Sequence, residues 1–294
     1  MFQELLNIYT PLVLGIILGV WLKPGEKELT LLAKIVLYVF LPSLLFTSTY
    51  SRLSQNPSLD VLKISFLSGL SVLATYLLTR ILKEPEEIVL TSMYANAGYL
   101  PLGVAQSLYG ENGVASVGFY ILGNNSTSNF IAPTLSRKNA ERVDRRIFKV
   151  ITFPPIIAIT LGFIIGIAGI KLPTFIQTTL KPFSDSASTL ALLELGVEFG
   201  TNPSLEKAGL KAYFYRLAGV IPLTLLFTQT GVLSGVDRGV ALIESIMPSA
   251  VSCLPISREL GLDSSYVARI IFTSTLLATT VSLPIMLYLI NAGV

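Results

Sequence analysis

The sequence has no histidine and a single cysteine, Cys253. Without histidine, the chain cannot form a Ser-His-Asp triad, a Cys-His pair or a metal site with histidine ligands. With one cysteine, it can form neither an intramolecular disulfide nor a cysteine cluster that holds zinc. We therefore expect no resident cofactor and no zinc- or histidine-dependent chemistry.

Charged residues are also scarce. They make up 13% of the 294 residues, about half the share of a typical soluble domain, whereas 52% are hydrophobic. A soluble domain of this size needs more charge to cover its surface, and a disordered chain needs less hydrophobicity. The net charge of +3 gives no reason to expect a nucleic-acid partner. The composition therefore predicts an all-α integral membrane protein.

Ten apolar stretches are long enough to cross the roughly 30 Å hydrocarbon core as helices at about 1.5 Å per residue. The five aspartates fall at the ends of these stretches or between them, which excludes an intramembrane aspartyl protease, so we expect no enzyme. The predicted spans 1 to 10 are 5–22, 29–50, 61–81, 87–109, 114–136, 148–170, 183–201, 211–231, 239–257 and 265–290.

The distribution of lysine and arginine orients these spans. With both termini outside, the inner loops hold 16 of the 21 basic residues, a set in which we include Arg216. This asymmetry predicts extracellular termini and a cytoplasmic loop at 137–147. The short loops and the small size suggest a prokaryotic plasma membrane.

The two halves of the chain resemble each other. Residues 14–19 match residues 161–166 at an offset of 147, with glycines at the same places. We therefore divide the chain into a first five-helix repeat, 1–136, a connecting loop, 137–147, and a second repeat, 148–294. Because five is odd, the second repeat enters the membrane inverted. Inverted repeats are typical of secondary transporters, although some channels share them.

Spans 4 and 9 hold the same place in each repeat, and both contain helix-breaking residues. Interrupted helices at matching places are the best sequence pointer to a transporter's binding site, while a simple packing kink is the alternative. The candidates for substrate binding in these segments are Asn96, Gly98, Pro101, Pro248, Ser249 and Pro255.

Further polar residues lie inside the apolar spans. Glu244, four residues before Pro248, should face a cavity, bind a cation or carry a proton, unless it is solvated at the outer interface. Span 5 supplies amide and hydroxyl oxygens that suit Na⁺ or a polar substrate, although small residues also serve helix packing. We assign cation or proton coupling to Glu244, Asn124, Asn125, Ser126, Thr127 and Ser128, with Na⁺ considered at Glu244 and Asn125.

Two further glutamates, Glu194 and Glu198, lie one helical turn apart on one face of span 7. Two adjacent carboxylates repel each other, so one of them can hold a proton in a transport cycle. The alternatives are that both face water near the inner surface or that they pair with a basic residue of an inner loop.

Several motifs, taken in order, resemble the auxin efflux carrier (PIN-like) family over nearly the whole chain. They are Tyr-Val-Phe-Leu-Pro-Ser-Leu-Leu-Phe at 38–46, Asn96 to Pro101 followed by Tyr-Gly at 109–110, Met-Pro-Ser-Ala at 247–250, Glu-Leu-Gly-Leu-Asp at 259–263 and Phe-Thr-Ser-Thr at 272–275.

This resemblance implies ten helices in two inverted five-helix repeats, a fold related to the bile acid:sodium symporters. It implies that the broken spans 4 and 9 cross near Asn96, Pro101 and Pro248. It further implies that spans 1, 2, 6 and 7 form a scaffold and that the other spans move. Glu244 falls where those symporters carry a sodium-binding glutamate. They follow that residue with a glutamine where this chain has Pro248, so Na⁺ coupling, H⁺ coupling and uniport all stay open.

The sequence thus predicts a secondary transporter that moves small organic anions by alternating access of the elevator type. The substrate, among auxin-like aromatic acids, dicarboxylates and other carboxylates, stays open. A channel or a non-transporting ligand sensor on the same fold is the alternative. Membrane lipids are expected partners, and a homodimer is compatible with the fold.

Overall fold

The computed structural model describes residues 2–136, 152–201 and 203–291. Within these ranges the chain is helical apart from short connections and one isolated β-bridge. The loop predicted at 137–147 lies outside the described residues. The prediction of an all-helical protein is confirmed for the described part of the chain.

We number the helices in chain order, and two of them contain a π-helical turn, at Val36–Phe40 and Ala278–Ser282. Gly110 separates α5 from α6 because its backbone φ of 58° and ψ of −145° are not helical. The helices are α1 Phe2–Leu22, α2 Glu26–Gln55, α3 Leu59–Ile81, α4 Glu86–Met93, α5 99–109, α6 111–131, α7 Pro154–Ile167, α8 Thr174–Thr201, α9 Lys207–Gln229, α10 Gly235–Ser245, α11 Cys253–Leu260 and α12 Ser264–Ile290.

Among the described residues, α2, α3, α9 and α12 are long and apolar enough to cross a membrane, and α7 and the segment Leu6–Leu22 of α1 are shorter apolar helices. Spans 4 and 9 do not qualify because each is divided into short helices, such as α4 with 8 residues and α10 with 11. The apolar helices agree with a membrane protein. The count of ten spans and the inverted repeat stay predictions.

The chain forms two compact units, which are described separately. The broken span 4 contributes to both, with α4 in unit 2 and α5 in unit 1. Within the described residues, unit 1 comprises 2–61, 98–119, 152–201 and 203, and unit 2 comprises 62–97, 120–136 and 204–291.

In unit 1, α1 packs against α8 through glycines on both helices. A methyl group added at Gly15 would overlap the carbonyl oxygen of Leu193, and one added at Gly196 would overlap that of Leu12. Small residues spaced four apart let two helix backbones approach this closely, which is the usual way that helices associate in a membrane.

A second glycine pair joins α7 to α2 in the same unit. A methyl group added at Gly162 would lie 2.8 Å from the carbonyl oxygen of Phe46, and one added at Gly166 would lie 2.8 Å from Cβ of Leu53. Gly162 and Gly166 are the residues that match Gly15 and Gly19 at the offset of 147. The matched glycines of α1 and α7 therefore each allow close contact between their helix and a neighbouring helix.

In unit 2, α3 is the helix on which α6 and α9 pack. Gly123 of α6 lies against the backbone of Ser65, and Gly219 of α9 lies against Thr75. The Ser68 hydroxyl donates to the carbonyl oxygen of Tyr120 at 2.7 Å. These close approaches fix the faces that α6 and α9 turn toward the interior of the unit.

From the close contact between α1 and α8, we predict that a methyl group added at Gly15 destabilises the protein. Gly15→Ala should lower the thermal unfolding midpoint of the detergent-purified protein, because overpacking costs about 1–3 kcal/mol. The matched control is Ile17→Ala on the same helix, whose side chain is 55% exposed and should matter less. Equal midpoints for Gly15→Ala and wild type would contradict the packing.

Candidate functional site

Both spans that the sequence marks as broken are interrupted in the structure. Helix α4 ends at Met93 and α5 begins at Tyr99, while α10 ends at Ser245 and α11 begins at Cys253. The backbone at Tyr94 is already extended, with φ −84° and ψ 115°. Each interruption removes backbone groups from the helical hydrogen-bond pattern, so these groups need other partners.

The two interruptions find partners in each other. The amide of Asn96 donates to the carbonyl oxygen of Pro248 at 2.8 Å, and the amide of Ala250 donates to that of Tyr94 at 3.0 Å. These two bonds form the antiparallel bridge between Ala95 and Ser249. Both interruptions therefore meet inside unit 2.

The six candidate substrate residues do not form one cluster in unit 2. Asn96, Pro248 and Ser249 are buried around the bridge, whereas Pro255 is exposed in α11. Gly98 and Pro101 belong to unit 1, where Pro101 is buried in the first turn of α5. The side-chain hydroxyl of Ser249 has no hydrogen-bond partner among the described residues.

Glu244 lies in the last turn of α10 and has no exposed surface. The interpretation that it is solvated at an interface is therefore wrong. Neither carboxylate oxygen has a hydrogen-bond partner within the described residues. A buried carboxylate without partners is costly unless a neighbouring charge or a proton compensates it.

That neighbouring charge belongs to Arg216 of α9, which sequence reasoning missed. Arg216 is only 1% exposed and interacts electrostatically with Glu244. Counting it among the inner-loop residues was wrong, because α9 begins at Lys207 and carries Arg216 about 14 Å into the helix. The signal that was available is a basic residue well inside an apolar helix.

Tyr120 is a third buried polar group at this place. It has no exposed surface and interacts electrostatically with both Arg216 and Glu244. Nothing in the sequence singles it out, because a tyrosine inside an apolar helix usually serves packing. The site thus contains a carboxylate, a guanidinium and a phenol that are all withdrawn from solvent.

The polar run of span 5 uses more than one helix face, as predicted. Asn124 and Ser128 share a face with Tyr120 and are fully buried, and their side-chain polar atoms have no partner in the described part of the chain. Asn125, Ser126 and Thr127 are half-buried on other faces. Thr127 packs close to Gly69, which agrees with the packing role for that residue.

Glu194 and Glu198 lie in unit 1 on α8. Glu194 is 2% exposed, and the Tyr99 hydroxyl is its hydrogen-bond partner, while its other carboxylate oxygen has none among the described residues. Glu198 is half-buried and interacts electrostatically with Glu194. Glu194 therefore does not face water, and a role in holding a proton stays a prediction.

In the part of the chain that the structure describes, no three Asp, Glu or Cys side chains converge on a common point. A sodium ion at Glu244 and Asn125 would depend on one carboxylate together with amide, hydroxyl and carbonyl oxygens, which are ligands that hard cations accept. This sodium site stays a prediction. The positive charge of the Arg216 guanidinium near Glu244 opposes the binding of a second cation there.

Comparison with known proteins identifies the family. The family model described as "Membrane transport protein" matches residues 1–132 and 135–287. The chain belongs to this family. It is the auxin efflux carrier (PIN-like) family that the motifs resemble.

Two archaeal relatives carry the name of uncharacterized transporters. The relative from Methanocaldococcus jannaschii is 31% identical over 269 residues, which cover 85% of this chain and 86% of the relative. The relative from Methanothermobacter thermautotrophicus is 30% identical over 299 aligned positions, which cover 96% of each. Membership of a family of membrane transporters argues against an enzyme.

In this transporter-family chain, a polar contact between the connection before α4 and the first turns of α9 positions the start of α4. Glu84 accepts hydrogen bonds from Lys211 and from the Tyr215 hydroxyl, each at 2.6 Å at its closest. Burial of the Glu84 carboxylate acts to raise its pKa, but the bonds from Lys211 and Tyr215 outweigh burial, so its pKa is lowered. The connection before α4 is thereby held to α9.

This contact predicts a pH-dependent stability. Because the folded-state pKa of Glu84 lies below the usual 4.5, its stabilisation is complete above that value and disappears as pH falls through the folded-state pKa. Glu84→Gln should cost about 1 kcal/mol of stability at pH 7, which is measured as a lower thermal midpoint, and much less in acid. The exposed Glu28 provides the control, Glu28→Gln. A Glu84→Gln deficit that does not shrink in acid would contradict this account.

Proposed function

We propose that this member of the membrane transport family is a secondary carrier of small organic anions, which it moves by alternating access. The substrate, a carboxylate such as an auxin-like aromatic acid or a dicarboxylate, binds where the interruptions of spans 4 and 9 meet. The one observation that supports this most is the backbone bridge between those interruptions. Breaks that are only packing kinks have no reason to pair with each other.

The chemistry of an anion site is available beside the bridge. Helix α11 starts at Cys253, directly after the second interruption. The start of a helix carries a partial positive charge and backbone N–H groups that favour an anion. The hydroxyl of Ser249 and the side-chain amide of Asn96 add polar groups of the kind that orient a carboxylate.

We further propose the arrangement of ten spans in two inverted five-helix repeats, 1–136 and 148–294, with both termini extracellular and 137–147 cytoplasmic. The glycine contacts support it, since matched glycines of α1 and α7 pack against α8 and α2. Those partner helices correspond to spans 7 and 2, which are themselves related by the repeat. The archaeal relatives agree with a prokaryotic membrane.

The division into two compact units supports an elevator-type mechanism, in which unit 2 carries the substrate site. Spans 1, 2, 6 and 7 fall in unit 1, while spans 3, 8, 9 and 10 fall in unit 2. The resemblance put spans 4 and 5 wholly in the moving part. Instead α5 belongs to unit 1, where Gly103 packs on Leu192.

For coupling we propose Glu244 with the polar run Asn124–Ser128, and Glu194 with Glu198 as further proton candidates. Na⁺ at Glu244 and Asn125, H⁺, and uniport are the alternatives that the sequence left open. The buried guanidinium beside Glu244 argues against Na⁺ among these. Membrane lipids and a second copy of the chain remain the proposed partners.

The carrier proposal predicts a difference between two prolines. Reconstituted protein should take up one or more radiolabelled carboxylates from a panel of aromatic acids and dicarboxylates, with saturation. Pro248→Ala should reduce uptake at least tenfold, because it lets α10 continue through the bridge. The control Pro222→Ala changes a proline inside α9, away from the bridge, and should keep most of the uptake.

Two outcomes would contradict the carrier itself, and a third would contradict the position of its site. Single-channel currents would favour a channel, and carboxylate binding without uptake would favour a sensor. Equal uptake by Pro248→Ala and wild type would leave the carrier but remove its site from the bridge.

A further inference from the structure

We propose that Arg216 is a built-in counter-cation for Glu244, holding the position that a bound sodium ion would otherwise take. The claim about ion binding depends only on the contacts inside unit 2. Its consequence, that transport does not require Na⁺ at this position, rests on the proposed function.

The Arg216 guanidinium lies at the interrupted end of α10. Arg216 is the largest fully buried side chain of the described residues. Its Nε donates to the carbonyl oxygen of Met247 at 2.6 Å, and its Nη2 donates to the carbonyl oxygen of Glu244 at 3.4 Å. Both carbonyls stand at the interrupted end of α10, where the Glu244 carbonyl oxygen also accepts a hydrogen bond from the backbone amide of Met247 at 3.1 Å.

The negative charge nearby is that of the Glu244 carboxylate. The Glu244 carboxylate has no exposed surface and no hydrogen-bond partner within the described residues, and Arg216 is its electrostatic neighbour. A carboxylate buried at this depth needs a nearby cation or a proton. Arg216 supplies a permanent cation, since a guanidinium does not lose its proton in proteins.

The oxygen atoms around the guanidinium are of the kind that bind a metal cation. A carboxylate and two carbonyl oxygens at a helix interruption are the oxygen donors that a hard cation such as Na⁺ prefers. Here the guanidinium already donates to the two carbonyl oxygens and is the positive charge that interacts electrostatically with the carboxylate. A second positive charge a few ångström away would be repelled by Arg216. The oxygens thus form a cation site whose cation is a side chain.

The experiment removes the side-chain cation and asks whether Na⁺ replaces it. Detergent-purified wild type, Arg216→Met and Arg216→Lys are unfolded thermally in NaCl, KCl and choline chloride at equal ionic strength. Wild type and Arg216→Lys should show the same midpoint in all three salts. Arg216→Met should show a lower midpoint that Na⁺ alone raises, saturably, by about 5 °C.

The double variant Arg216→Met with Glu244→Gln tests the ligand and protects against a folding failure. It should lose the response to Na⁺ and should unfold at a higher temperature than Arg216→Met, with a loss of stability smaller than the sum of the two single losses, because neither charge is left alone. This comparison remains informative even if Arg216→Met alone does not fold.

Selective stabilisation of the wild type by Na⁺ would overturn the inference. So would a folded Arg216→Met that ignores Na⁺, or a double variant whose loss of stability is the sum of the single losses. None of these readouts uses a transported substrate. Failure of the carrier proposal therefore cannot be mistaken for failure of this one.

Discussion

Backbone groups that leave a helix inside a membrane must find partners within the protein, because hydrocarbon offers none. This constraint organises unit 2. The interruptions of spans 4 and 9 satisfy part of the need through the bridge between Ala95 and Ser249. Arg216 satisfies another part by donating to the carbonyl oxygen of Met247 at 2.6 Å. The buried positive charge therefore lies where the helix is interrupted.

A buried carboxylate with a guanidinium nearby is a weak source of stability, since desolvation of both charges offsets most of their attraction. We therefore relate this arrangement to the proposed transport. Moving one unpaired charge across a membrane costs or gains about 2.3 kcal/mol per 100 mV. In the elevator mechanism proposed above, the charge of Arg216 offsets that of Glu244 as unit 2 moves, so the net charge that crosses the membrane is that of the substrate.

Much of this arrangement could be predicted from the sequence, because proline and glycine act locally. Pro248 and the segment around Asn96 to Pro101 mark the interruptions, and Glu244 stands out in an apolar span. Arg216 was missed although its position was informative, because a basic residue five positions into predicted span 8 was counted with the inner-loop residues. The split of span 4 between the units depends on long-range contacts such as Gly103 with Leu192.

The most direct test of the account is whether the two interruptions meet. In a Cys253→Ala background, which removes the native cysteine, Ala95→Cys and Ser249→Cys are combined, and the protein is oxidised in membranes. Opposed residues of an antiparallel bridge lie about 4.5–5.5 Å apart at Cα, within the range for a disulfide. The account predicts efficient cross-linking of this pair and none in either single variant. Failure of the pair to cross-link in folded protein would contradict it.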